Sequence, residues 1–65
     1  MMTRTREEAL EVIRNNIDKT YMIRPCYQGW GVYMPLDINR AELIYSSIDQ
    51  DDCRSLLREA DAKYV

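Results

Sequence analysis

The chain has 65 residues, no histidine and a net charge of −2, from eleven acids against nine bases. That length makes one small domain near the lower limit for unaided folding, with little room for a buried polar active site. The missing imidazole removes the commonest general base and metal ligand, and the lack of a basic tract removes generic attraction to a phosphate backbone. Charge is also uneven. Residues 1–25 carry five bases and four acids, and residues 26–65 carry four bases and seven acids, so a basic partner suits the C-terminal half. No apolar run reaches the roughly 18 residues of a membrane span. The first residues lack a signal-peptide core, and the expected location is the cytoplasm. Cys26 and Cys53 fit no metal or redox spacing and read as reduced thiols, one of them packed.

Thr5-Arg6-Glu7-Glu8 matches the capping box, with Thr3 as a competing cap. Leu10, Ile13 and Ile17 then recur at helical spacing, with Ala9 and Val12 widening the stripe. Asn15, Asn16 and Thr20 weaken the far end, and the spacing predicts a helix over residues 4–18. The stretch from Thr20 to Pro35 follows, with both glycines, both prolines, the only tryptophan and three of the five tyrosines. It reads as two strands joined at Gln28-Gly29, where glycine supplies the positive φ of a tight hairpin.

In the first strand, residues 21–26, Tyr21 and Ile23 face one way and Met22, Arg24 and Cys26 the other. Pro25 has no amide hydrogen, which argues for an edge. In the second, residues 30–34, Trp30, Val32 and Met34 share a face opposite Gly31 and Tyr33. Pro35 ends regular pairing, Leu36 joins the core, and Asp37 to Arg40 turns the chain. Residues 41–46 read as a third strand with Leu43 and Tyr45 facing in and Ile44 facing out. A helix over 38–47 is the rival.

The last element is the clearest. Asp49 is an N-cap, and Asp51 and Asp52 place negative charge where the helix dipole favours it. Ile48 and Cys53 occupy the positions of a hydrophobic staple. Cys53, Leu56, Leu57, Ala60 and Tyr64 form one stripe of a helix over residues 50–63. The sum is a single α+β domain: helix, three-stranded antiparallel meander, helix (α-β-β-β-α), with the second strand central.

Catalytic chemistry finds few residues. A thiolate at Cys53 is opposed by Asp51 and Asp52 beside it. Asp49 to Asp52 lacks the glycine turn and distal glutamate of a calcium loop, and Gly29-Trp30-Gly31 lacks the helix and lysine of a phosphate loop. No cofactor, metal or small-molecule substrate is expected. The order helix, three strands, helix resembles the layout of double-stranded RNA-binding domains, which place lysines at the start of the second helix. Here the equivalent stretch is Asp49-Gln50-Asp51-Asp52, of opposite sign, so RNA binding does not follow from the resemblance.

The expected function is therefore a small non-enzymatic protein-interaction module. Two surfaces are candidates. If both helices cover one side of the sheet, the other side shows Met22, Arg24, Cys26, Tyr33 and Ile44, with Tyr27 in the adjoining turn, and such apolar-centred patches usually meet a partner; the rival arrangement puts one helix on each face. The second is the acidic edge of Asp49, Asp51 and Asp52, which suits a phage-type inhibitor that blocks the nucleic-acid site of a host protein by presenting carboxylates in place of phosphates. A two-fold dimer through a sheet edge or the Met22–Tyr33–Ile44 face is a further expectation. The alternative function is direct nucleic-acid binding by Arg4, Arg6, Arg14 and Arg24 with stacking on Tyr27 or Trp30.

Overall fold

The computed structural model describes residues 4–65, which form α1 (Arg6–Asn15), β1 (Thr20–Cys26), β2 (Gly29–Asp37), β3 (Arg40–Ser47), α2 (Gln50–Glu59) and β4 (Lys63–Tyr64). The capping box of α1 closes on Thr5; the competing Thr3 lies outside the described residues. Thr5 Oγ1 accepts from the Glu8 amide at 3.2 Å, and Glu8 Oε1 accepts from the Thr5 amide at 2.8 Å. That backbone donor, then the hydroxyl, holds the Glu8 carboxyl below its ordinary range. α1 stops at Asn15, short of the predicted 18. Asn16 leaves helical geometry and donates from its side chain to the Val12 carbonyl at 2.8 Å, while the buried Tyr21 hydroxyl donates to the Asn16 carbonyl at 2.9 Å. These bonds satisfy the helix end. Ile17 therefore falls outside the stripe and is exposed, not core.

Cys26 pairs with Gly29, so the hairpin turn is Tyr27-Gln28 and Gly29 is already in β2. Gly29 does take a positive φ, +145°. It also lets the chain pack tightly: a Cβ there would stand 2.5 Å from the Ser47 carbonyl oxygen and 2.7 Å from the Ile48 Cα. β2 continues past Pro35 to Asp37, with a register shift between the two. Asp37 then closes the turn to β3. It accepts from the Asn39 amide at 2.8 Å and pairs with Arg40 at 2.7 Å, and the amide chiefly, then Arg40, holds its carboxyl low.

Residues 40–47 are a strand, not the rival helix, but its faces differ from the alternation expected. Val32 pairs with Tyr45 and Tyr33 with Leu43, which leaves Ile44 as the extra residue of a bulge. A bulge shifts the period-2 alternation by one residue. Ile44 and Tyr45 thus both turn toward the helices, and Leu43 turns away. Ile44, expected on the open face, is 1 % exposed; Leu43, expected in the core, is 40 % exposed.

Asp49 caps α2 by accepting from the Asp51 amide at 2.9 Å. The staple is not made. The backbone at Ser47–Ile48 lies against Gly29, and the Ile48 side chain is 86 % exposed. α2 ends at Glu59, earlier than predicted. Asp61 is left-handed (φ 58°), the Ala62 amide donates to the Leu57 carbonyl at 2.9 Å and the Asp61 amide to the Arg58 carbonyl at 3.0 Å. This paired closure is a Schellman motif. It turns the chain back so that Lys63–Tyr64 pairs in parallel with Thr20–Tyr21. Tyr64 lies in β4, not on the helical stripe.

The sheet is four-stranded and mixed, in the order β3-β2-β1-β4, rather than a three-strand meander. β1 is an open edge only beyond Tyr21, where Pro25 sits, because β4 covers its start. Ala9, Leu10 and Ile13 of α1 and Cys53, Leu56, Leu57 and Ala60 of α2 with its cap pack with Tyr21, Ile23, Val32, Met34 and Ile44 in one buried cluster. Trp30 and Tyr45 are half-buried against it. Leu36, Leu43 and Ile48, expected in the core, remain largely exposed. Both helices cover one face of the sheet, and the other face is left uncovered by the fold.

Candidate protein-interaction site

Directly paired residues of neighbouring strands point to the same side of a sheet. Across β1, β2 and β3 the uncovered side therefore carries the row Met22, Tyr33, Leu43 and the next row Arg24, Gly31, Ser46. Pro35 and Ala41 continue it at one end, and Cys26 lies at the other. Gly31 is buried although it has no side chain, because its neighbours lean over it. A Cβ there would stand 2.6 Å from Leu43 Cδ1 and 3.0 Å from Tyr33 Cε1. Tyr33 and Leu43 thus form one apolar ridge. Arg24 is the only charge in these rows. Its guanidinium donates to the Ile23 carbonyl at 3.3 Å, and the ion pairs among the described residues use Arg4, Arg6, Arg40 and Arg54 instead.

At the Cys26 end the face opens into a hollow of about 420 Å³ between the β1–β2 turn and the β3–α2 loop. It is lined by Cys26, Gln28, Leu43, Ser46 and Ser47, together with the exposed Tyr27 and Ile48 at its rim. Tyr27 is 97 % exposed. The close approach of Gly29 to Ser47–Ile48 is what holds the two loops side by side.

The acidic edge belongs to α2 and its N-cap, and its carboxylates have internal partners. Asp49 is the N-cap, and Asp51 pairs with Arg54 one turn on. Asp52 accepts from Arg6 at 2.9 Å and from the Tyr45 hydroxyl at 2.8 Å. Burial chiefly, then this bond to Asp52, raises the Tyr45 phenol. Arg6 also donates to Ser55 at 3.2 Å and Glu59 at 3.0 Å, and the Glu59 bond is the main reason its guanidinium is held protonated even more firmly than usual. Arg4 pairs with Glu42 at 2.7 Å. These contacts tie α1 to α2 and β3.

The structure brings Met22, Arg24 and Tyr33 together, puts Tyr27 at the end of the same face, and removes Ile44 to the opposite side. Leu43 takes its place, together with Ile48 and Ser46, which sequence reasoning missed. Only the bulge at Ile44 distinguishes Leu43 from Ile44, and nothing in Arg40–Ser47 announces it. The arginines expected for nucleic-acid binding do not gather: Arg4 and Arg6 are ion-paired, Arg14 ends α1 on the helix layer, and Arg24 is on the opposite face. Burial pushes the Cys53 thiol up to about 11, with Asp52 adding to the shift, so at neutral pH it is protonated and poorly nucleophilic. Both cysteines are free thiols. Among the described residues no three His, Cys, Asp or Glu side chains are grouped to hold a metal, and no helix is long and apolar enough to cross a membrane. No family model matches the chain, and no curated protein or solved structure matches it significantly.

Proposed function

We propose that this protein is a non-enzymatic interaction module that docks on a partner protein through the uncovered side of its sheet. The observation that carries the proposal is the continuous Met22–Tyr33–Leu43 row, flanked by the exposed Tyr27 and Ile48, on a chain whose two helices both lie on the other side. Methionine, tyrosine and arginine are interface-enriched residues, and large side chains left in water favour covering by a partner. Inhibition of a host nucleic-acid-handling protein, the phage-type role, fits this mode of action if the docked face overlaps the partner's binding site. Phosphate mimicry by Asp49, Asp51 and Asp52 has weaker support. Asp52 is neutralised by Arg6 and Asp51 by Arg54, and Asp49 holds the helix start.

Affinity capture from lysate tests the proposal when the native chain is compared with two variants. Tyr33→Lys places a cation in the apolar ridge, and Asp51→Lys reverses an exposed carboxylate of the acidic edge. The proposal expects the partner to be lost with Tyr33→Lys and kept with Asp51→Lys, with both variants folded by circular dichroism. Equal capture by native chain and Tyr33→Lys, or loss only with Asp51→Lys, would refute it.

A further inference from the structure

Resting on that docking mode, we infer that the hollow beside the ridge receives one bulky apolar side chain of the partner, on a segment whose carboxylate meets Arg24. The hollow's volume of about 420 Å³ falls within the roughly 300–1,000 Å³ of clefts that enclose small organic groups. None of its lining residues is charged: they are Cys26, Tyr27, Gln28, Leu43, Ser46, Ser47 and Ile48. A buried carboxylate, phosphate or ammonium would find no counter-charge inside it, whereas an aromatic or aliphatic side chain loses little on entering. Tyr27 and Ile48 stand on the rim from two different loops, 97 % and 86 % exposed. Their apolar surface leaves water only when something fills the space between them.

Charge fixes the rest of the partner's chemistry. Arg24 shares a row with Ser46 on the hollow's wall, and Gly31 between them lies under the Tyr33 and Leu43 side chains, so the partner's acid reaches Arg24 across that ridge. Arg24 has no carboxylate within ion-pairing distance among the described residues. An exposed guanidinium with no such partner, on a face whose other charge is the Lys63 ammonium paired beside Thr20, is complementary to an acid. A second copy of this chain, face to face, would bring another Arg24 instead. The occupant is therefore an acid-bearing segment of a different protein, anchored by a single apolar side chain as in interface hot spots.

The isolated chain allows a test that needs no partner, using capped dipeptides as probes in ¹H–¹⁵N correlation spectra. Tryptophan–glutamate should shift the amides of residues 26–28 and 46–48 saturably. Alanine–glutamate, lacking the anchor, should bind about tenfold more weakly. Tryptophan–lysine should bind about threefold more weakly than tryptophan–glutamate, and Arg24→Gln should erase that difference. The double variant Tyr27→Ser with Ile48→Ser removes side chains that the core does not use, so its other resonances should stay in place while probe binding is lost. Shifts that do not saturate, that are scattered over the molecule, that ignore the probe's charge or that survive in the double variant would overturn the inference. Such a result together with partner loss in Tyr33→Lys would remove the hollow and leave the docking face standing.

Discussion

Two glycines two residues apart do different work. At Gly29 a methyl group would meet backbone, the Ser47 oxygen at 2.5 Å and the Ile48 Cα at 2.7 Å, at a φ of +145°. Gly29→Ala should cost about 2–4 kcal/mol in urea denaturation, since neither the turn nor the β3–α2 loop can give way without losing pairs. At Gly31 the obstruction is the end of the Leu43 side chain, 2.6 Å away, which can swing aside. Gly31→Ala should cost only about 1 kcal/mol or less while disturbing the Tyr33–Leu43 ridge. Equal losses would mean that the two loops do not depend on contact at Gly29. The need for glycine at position 29 was legible in the sequence from its place in the hairpin. Its second reason, contact with a segment eighteen residues on, was not, because single-chain patterns carry no long-range distances. Ile44 and Leu43 are the same failure in another form: both are aliphatic, and only the bulge decides which one faces water.

At the scale of elements, capping chemistry was the readable part. The capping box of Thr5 with Glu8, and the Asp49 cap, form as the sequence indicates, although α1 starts at Arg6, two residues after the predicted start. Both helix ends were misread for physical reasons. α1 is stopped by bonds to Asn16 from Tyr21, and α2 by a left-handed Asp61 where glycine would be the readable sign. A two-residue β4 has no periodicity to detect. Asp61→Gly should stabilise the chain by about 0.5–1 kcal/mol, because it removes the Cβ cost of the left-handed position. A destabilised variant would contradict the Schellman closure. Between elements, Arg6 joins α1 to Asp52, Ser55 and Glu59 of α2. Its side chain is partly exposed, so Arg6→Gln should cost about 1 kcal/mol, with a smaller loss in high salt. A salt-independent loss would point to packing instead of charge.

For the whole molecule, the α+β class was readable from periodicity, and so was the alternation of Met22, Arg24 and Tyr33 against Tyr21, Ile23 and Val32; that both helices share one side was not, because strand alternation alone also fits one helix on each face. The hollow was not, because it exists only where two loops meet. Stability as a function of pH reports on the same core. The Cys53 thiol titrates at about 11 when folded against an ordinary value of 9.0, a folded value above the unfolded one. Its contribution is therefore complete below pH 9 and is lost as pH rises toward 11, by roughly 2–3 kcal/mol. Burial raises Tyr21 and Tyr45 in the same direction. Cys53→Ala should make the alkaline fall shallower, and an unchanged slope would mean that the thiol is not shielded by the core. The central claim, that the side of the sheet away from the helices is the docking surface, is tested most directly by photo-crosslinking in lysate. The crosslinking residue is placed at position 33 or, on the helix layer, at exposed position 58. A discrete partner adduct heavier than the 15.4 kDa of two 7.7 kDa chains, from position 33 and not from position 58, is the predicted result. An adduct from position 58 alone, or only the mass of two chains from position 33, would contradict it.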